Sequence, residues 1–302
     1  MAQKTFLIAG AAGNTGRSAS MELLKRGVSV RALVRTRDDR AAQLVAAGAE
    51  VVVADLLDAD VVRKSFKGIE GAYFVYPIIP HLIEAASYFV EAARTEGVES
   101  VVNMSQISSR RDAQSHAARD HWVVERLFDW SGLSVTHLRP TLFAQNFLDP
   151  ESLRAIIHRG VISFPFGVAR HAPLAAEDQG RLIASIFADP APHRGKTYPL
   201  HGSVEFDYFE IAELIGKAVG KPVRYDAADI EEWRARAPLP AFLVQHLCAI
   251  AVDYQAGIFS GTDTVIEDVT GTAPMTFEDF LHSHKNEFDR ALQLNSTIAG
   301  AR

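Results

Sequence analysis

The chain has 302 residues, room for one large domain or two moderate ones, and its balance of 48% hydrophobic to 23% charged residues is that of an ordinary globular protein. A formal net charge of −6 argues against a general nucleic-acid binder, and the single cysteine, Cys248, excludes an intramolecular disulfide and fits a reducing compartment. No apolar run approaches the ~20 residues of a membrane span, and the N-terminus leads straight into a short strand without the features of a secretory signal, so a cytoplasmic protein with no membrane contact is expected.

Short β-branched runs alternate with stretches of helical period, the pattern of βαβ units on a parallel sheet. In chain order the expected strands are Thr5–Ala9, Val28–Val34, Glu50–Ala54, Gly71–Tyr76, Val98–Met104 and Ser134–Leu138. Between them lie helical stretches at Thr15–Arg26, Asp39–Ala47, Asp60–Phe66, Ile79–Glu96 and Ala117–Trp130, closed by Gly27, Gly48, Gly97 and Gly132. After Arg139-Pro140 helices dominate: Glu151–His158, Glu177–Ala188, Tyr208–Val219, Ile230–Arg236, Ala241–Ala251 and Thr276–Asp289, with short strands near Thr197–Leu200 and Val223–Asp226. The expected fold is a Rossmann-type, doubly wound α/β domain over residues 1–145. A smaller, mostly helical α/β substrate-side lobe over 146–290, free to interleave with the first, follows, and a frayed tail over 291–302 ends the chain.

The most informative stretch is Gly10-Ala-Ala-Gly13-Asn14-Thr15-Gly16-Arg17, between the first strand and the first helix. Gly10 lets the chain turn off the strand, a side chain at Gly13 would keep the backbone from a pyrophosphate, and Gly16 lets the helix pack close to the sheet. The helix N-terminus then presents N–H groups and a partial positive charge to phosphates. At the end of the second strand, where an NAD binder commonly carries an acidic residue ~20 residues on, stand Arg35 and Arg37. An arginine cannot accept from a ribose 2′-hydroxyl but can hold a 2′-phosphate, so the expected cofactor is NADP(H). Asp55-Leu56, ending the third strand, suits an adenine contact, and equally a helix cap or turn. Tyr76-Pro77 follows the fourth strand, where cofactors lie in parallel sheets.

The spacing Gly-x-x-Gly-x-x-Gly, with Val34-Arg35, Ala54-Asp55-Leu56, Val98–Ser105, His121-x-x-x-Glu125, Leu138-Arg139-Pro140-Thr141, Asn146-Phe147 and Ala176–Arg181, resembles the NmrA-like branch of the atypical short-chain dehydrogenases/reductases from about residue 4 to about residue 290. The resemblance implies one of two activities. One group of relatives reduces quinones, azo compounds or triphenylmethane dyes with NADPH. The other binds NADP(H) without known turnover as redox sensors or regulators, with a protein partner.

The standard short-chain mechanism needs Tyr-x-x-x-Lys after the fifth strand, a tyrosine that gives a proton and a lysine that lowers its pKa. Here those positions read Ala117 and His121. His121 shares a helix face with Glu125 and is a candidate for a contact to the nicotinamide ribose or for proton relay, or is a satisfied helix residue. Ser105 is the second catalytic candidate. Hydride transfer to an electrophilic acceptor depends more on alignment in a dry slot than on acid catalysis, and Phe143, Asn146, Phe147 and Phe166 are the expected substrate-side residues. His81 suits pocket or surface, Arg110-Arg111-Asp112 a loop over the site or a plain turn. His171, His282 and His284 suggest a metal only superficially, since His282 and His284 point to different faces of a helix; no metal is expected. The expected partner is a small-molecule acceptor, with a homodimer through exposed helices an ordinary arrangement.

Overall fold

The computed structural model describes residues 4–299. The chain runs β1 (Thr5–Ile8), α1 (Asn14–Lys25), β2 (Ser29–Val34), α2 (Asp39–Ala46), β3 (Glu50–Val53), α3 (Ala59–Ser65), β4 (Gly71–Phe74), α4 (Leu82–Thr95), β5 (Ser100–Met104), α5 (His116–Trp130) and β6 (Val135–Pro140). It continues through α6 (Pro150–Arg154), β7 (Val161–Phe164), α7 (Ala176–Ala188), β8 (Thr197–Leu200), α8 (Tyr208–Val219), β9 (Arg224–Ala227), α9 (Ile230–Arg236), α10 (Ala241–Gln255), α11 (Val265–Thr270), α12 (Phe277–Ser283) and α13 (Lys285–Ala299). Among the described residues no helix is long and apolar enough to cross a membrane.

The chain divides into two compact units. The first holds the residues up to Pro140 with Ala176–Leu200 and Thr264–Thr272; the second holds Thr141–Ala175, His201–Asp263 and the residues from Ala273 onward. This differs from a single cut near residue 145, and the reason lies in α7 and β8. β8 pairs in parallel with β6, Leu138 opposite Tyr198, and so extends the first sheet. α7 lies against α1, where a Cβ on Gly180 would come within 2.6 Å of the Ser18 carbonyl carbon. Only glycine permits that approach.

In the first unit seven parallel strands are ordered β3-β2-β1-β4-β5-β6-β8, the doubly wound arrangement. Its strands are apolar on both faces because helices cover both. One of these layers is built on Phe66, Phe74, Phe89 and Phe128, whose rings meet edge to face or tilted, Phe66 to Phe89 at 4.8 Å between centroids. Helix starts follow side-chain chemistry: Asp38, Asp58 and Ser115 accept from backbone N–H groups at the starts of α2, α3 and α5.

The second unit carries a two-stranded parallel sheet, β7 with β9, and an aromatic core. β7 has no counterpart among the expected strands: four residues before Pro165 carry little pattern, and the partner strand lies far along the chain. A helix covers most of the stretch read as a frayed tail. α13 continues through residues 291–299, since no glycine or proline interrupts the chain from Lys285 to Ala299; the last three residues of that expectation lie outside the described residues.

Three histidines, His171, His201 and His246, are buried in the second unit. Burial, with His201 nearby, lowers the His171 pKa to about 3, and burial lowers that of His246 to about 4 against the pull of Asp253. Both regain an ordinary value near 6.5 on unfolding, so below that pH the unfolded chain binds more protons than the folded one. Stability should therefore fall as the pH drops from about 6.5 toward 4, by on the order of 1.4 kcal/mol per pH unit for each histidine. Urea denaturation across that window measures it, and His171→Asn should flatten part of the slope. A profile that stays level would show that both rings take up protons as readily in the folded protein as in the unfolded chain.

Candidate nucleotide-binding site

Strand order reverses between β1 and β4, so the crevice at their carboxyl ends is where a ligand of such a sheet sits. The turn after β1 is held by backbone bonds alone: Ala11 N–H donates to Leu33 O at 3.0 Å and Gly13 N–H to Gly10 O at 2.8 Å. Gly10 has φ +56°, a left-handed conformation that other residues avoid. A Cβ on Gly16 would stand 2.3 Å from Gly10 O, so α1 could not start this close to the strand with any other residue. α1 opens on Gly13, which offers no side-chain cap, in contrast to α2, α3 and α5. The N–H groups of its first turn are therefore left for an anion, the arrangement that suits a pyrophosphate. Asn14 and Arg17 are exposed on this turn. Arg17 is an addition to the residues picked from sequence: in the described structure its side chain forms no hydrogen bond or ion pair, and no spacing rule marks it.

The basic cluster after β2 separates by partner. Arg31 is committed to Glu50 at 2.8 Å and to the carbonyls of Ser65 and Lys67, and Arg40 is committed to Asp38 at 2.9 Å. Arg35 and Arg37 are exposed and, among the described residues, have no hydrogen-bonding or ion-pair partner. The Tyr76 phenol lies between the ends of these strands. Partial burial and the nearby Asp55 and Glu84 carboxylates push its pKa above the ordinary value, while Arg35 opposes them. Arg35, Asp55 and Tyr76, picked separately from β2, β3 and β4, are thus neighbours. One Asp55 oxygen accepts from Leu57 N–H at 3.0 Å, a turn role; the cap of α3 is Asp58. Leu56 and Tyr76 lean on the core, and Pro77 is exposed. His81 is a surface residue at φ 79°, bonded to Glu84 at 3.0 Å.

Thr15 requires a correction. Its side chain is buried and bonded to Tyr73, so only its backbone N–H can serve a cofactor.

Ser105 and His121 are both buried. The His121 ring is enclosed, with Nδ1 out of reach of solvent. Glu125, on the same face of α5, is wholly enclosed and takes a two-pronged bond from Arg139, at 2.8 and 2.6 Å. Burial alone would raise its pKa; the Arg139 bond, with Ser105 nearby, takes it below the usual carboxylate range. Ser105 Oγ nevertheless completes no full hydrogen-bond geometry with any described residue. Beside this pair Asn103 Nδ2 donates to His137 Nδ1 at 2.9 Å, and His137 Nε2 donates to Asp129 at 3.0 Å. Asn103, Glu125 and Arg139, all within the sequence patterns singled out above, form a polar frame between β5, β6 and α5. Above it, on the segment leaving β5, Ser105 Oγ, Gln106 Nε2 and Ser109 Oγ are buried without partners among the described residues. Orphaned groups of this kind call for a bound ligand or water. Arg110 is tied to Ser108 O and Asp112.

The substrate-side expectations belong to the second unit, and two are corrected. Phe147 is buried against Tyr208 and Phe277, with centroids at 6.2 and 5.7 Å. Phe166 is sandwiched between Phe164 at 5.3 Å and Tyr254 at 4.4 Å. Both are core residues, packed ring against ring in the interior of the second unit. Phe143 and Asn146 are half-buried. No grouping of three or more His, Cys, Asp or Glu side chains among the described residues could hold a metal ion.

An NAD(P)H azoreductase of Xenophilus azovorans is 28% identical over 295 residues, covering 95% of this chain and all of that protein. An NADPH-dependent quinone oxidoreductase of Escherichia coli, solved with NADPH, superposes with a TM-score of 0.80 at 23% identity, covering 92% of this chain and 99% of that one. The negative transcriptional regulator NmrA superposes with a TM-score of 0.77 at 18% identity, over 97% and 98% of the two chains. Reductase and regulator thus share this fold. The NmrA-like family profile matches residues 2–281, and this chain belongs to that family.

Proposed function

We propose that this protein is an NADPH-dependent reductase of conjugated small-molecule acceptors, of the quinone or azo type. The observation that carries the cofactor half of this reading is the pair Arg35 and Arg37, exposed and unpartnered beside Asp55 and Tyr76, at the same sheet edge as an uncapped α1. The azoreductase likeness supports the acceptor half.

The first-turn N–H groups of α1 hold the pyrophosphate, with Asn14 and Arg17 at its rim. Arg35 and Arg37 hold the 2′-phosphate. The second Asp55 oxygen accepts from the adenine amine. The unpartnered polar atoms of Ser105, Gln106 and Ser109 receive the nicotinamide end. When bound, NADPH supplies a hydride from its nicotinamide C4. The chain's own part is to align and dry the site, and to let a proton reach the reduced acceptor, from His121 or from water. With Ala117 at the tyrosine position, ordinary carbonyl reduction has no proton donor of the standard kind.

That same missing pair favours the second reading, an NADP(H)-binding regulator without turnover. The decisive measurement follows NADPH absorbance with benzoquinone, menadione, an azo dye and a triphenylmethane dye, with NADH in parallel. Turnover with NADPH well above NADH is the expected result. Saturable NADPH binding with every acceptor left intact would establish the regulator instead.

A further inference from the structure

Beneath the phosphate-binding turn lies a buried chain of polar groups that ties α7 to the start of α1. Gln179 on α7 is fully enclosed; its Nε2 donates to Tyr73 OH at 3.0 Å. Tyr73, fully buried on β4, donates to Thr15 Oγ1 at 3.0 Å. Thr15, the second residue of α1, points its hydroxyl at Met104 Sδ, 3.6 Å away at the end of β5. The same sulfur is also within reach of Tyr73 OH at 3.1 Å and of Gln179 Nε2 at 3.6 Å, so the groups close on Met104, and the proton order Gln179 to Tyr73 to Thr15 to sulfur satisfies every step. Burial holds the Tyr73 phenol far above its ordinary pKa, so it stays a neutral donor. The other end of Gln179 is unfavourable: its Oε1 is buried without a partner among the described residues. An apolar side chain would avoid that desolvation loss, so what favours an amide here is the contact its Nε2 makes. One residue on, Gly180 brings α7 against Ser18. Two successive residues of α7 therefore bear on the first five residues of α1.

We propose that Gln179, acting through Tyr73 and Thr15, is a positioning element for the cofactor: it fixes the direction of the first-turn N–H groups of α1, and so sets affinity for the pyrophosphate from a helix that touches no part of it. This rests on the NADP(H) reading above. A donor array is effective only if it is aimed before the anion arrives. Thr15 is the only side chain of that turn anchored in the interior, and its anchor is this chain of bonds.

The test compares two probes by titration calorimetry, NADPH and adenosine 2′-monophosphate. The second carries the 2′-phosphate and adenine but no phosphate to lie on α1. Tyr73→Phe and Thr15→Val should raise the Kd for NADPH five- to twentyfold and leave that for adenosine 2′-monophosphate within twofold. Thr15→Ser, which keeps the hydroxyl, should restore it. Gln179→Met should weaken NADPH less, and its effect should vanish in the Tyr73→Phe background. If Tyr73→Phe folds poorly, Gln179→Met and Thr15→Val carry the comparison. Variants that melt at lower temperature but bind NADPH as the wild type does, or that lose both probes alike, would overturn the positioning role alone. A wild type that binds neither probe would overturn the cofactor reading, and this proposal with it.

Discussion

The double variant Arg35→Ser/Arg37→Ser should lose NADPH affinity by roughly one to two orders of magnitude and leave NADH affinity within a factor of two. A charge-assisted contact to a phosphate is worth ~1.5–3 kcal/mol, which is about tenfold to a hundredfold in Kd. The two arginines meet that requirement because no side chain among the described residues pairs with them, while Arg31 and Arg40 are held by Glu50 and Asp38. Arg40→Ser is thus a suitable control and should keep the NADPH to NADH ratio. Both guanidinium groups are exposed, so the preference should also shrink as salt rises, through screening over about 10 Å at 0.1 M. Equal losses for NADPH and NADH would mean that the arginines shape the loop and not the phosphate site. The single variants separate their shares.

The substitution with the largest expected cost in stability is Arg139→Met. It removes both bonds to a carboxylate that has no exposure at all. Arg126, 3.6 Å from the same carboxylate, is engaged with Asp129 and cannot replace a two-pronged contact. Breaking one partner of such a pair costs about 3–5 kcal/mol, because the remaining charge stays buried. The pH dependence distinguishes this mechanism from simple loss of packing. In the wild type the Glu125 carboxyl lies below its ordinary pKa, so the pair stabilises the fold above the unfolded value of 4.5 and that contribution is lost as the pH falls through the folded value. In the variant burial, the largest influence on this carboxyl, is opposed only by the weaker pull of Ser105 and His137 and raises it, so the variant recovers as the pH falls. The gap in unfolding free energy between the two proteins should narrow from neutral pH toward pH 4. The double variant Glu125→Leu/Arg139→Met should be more stable than Arg139→Met at neutral pH. A gap independent of pH would leave cavity formation as the whole effect.

Much of the first unit was legible because its signals are local. Continuous apolar runs mark strands covered on both faces, and Gly10 and Gly16 are demanded by a turn and a close approach that span only a few residues. Arg35, at the end of β2 where an NAD binder commonly carries an acidic residue, is likewise written in a short segment. What the chain does at longer range was not legible. Gln179, Tyr73 and Thr15 carry no mutual spacing, yet α7 brings them together under the turn. Glu125, on α5, suggested chemistry beside His121, and its real partner, Arg139, sits on β6. Phe147 and Phe166 suggested a slot, and ring packing in the second unit buried them instead.

The sequence by itself therefore determined the doubly wound half, the phosphate-binding turn and the cations beside it, since each depends on backbone conformation or charge within one strand–turn–helix step. Tertiary structure alone decided which arginines remain available, which polar motif residues form frame and not site, and to which unit α7 and β8 belong. Those outcomes depend on which partner reaches a side chain first across the fold, and burial, not spacing, settles that competition.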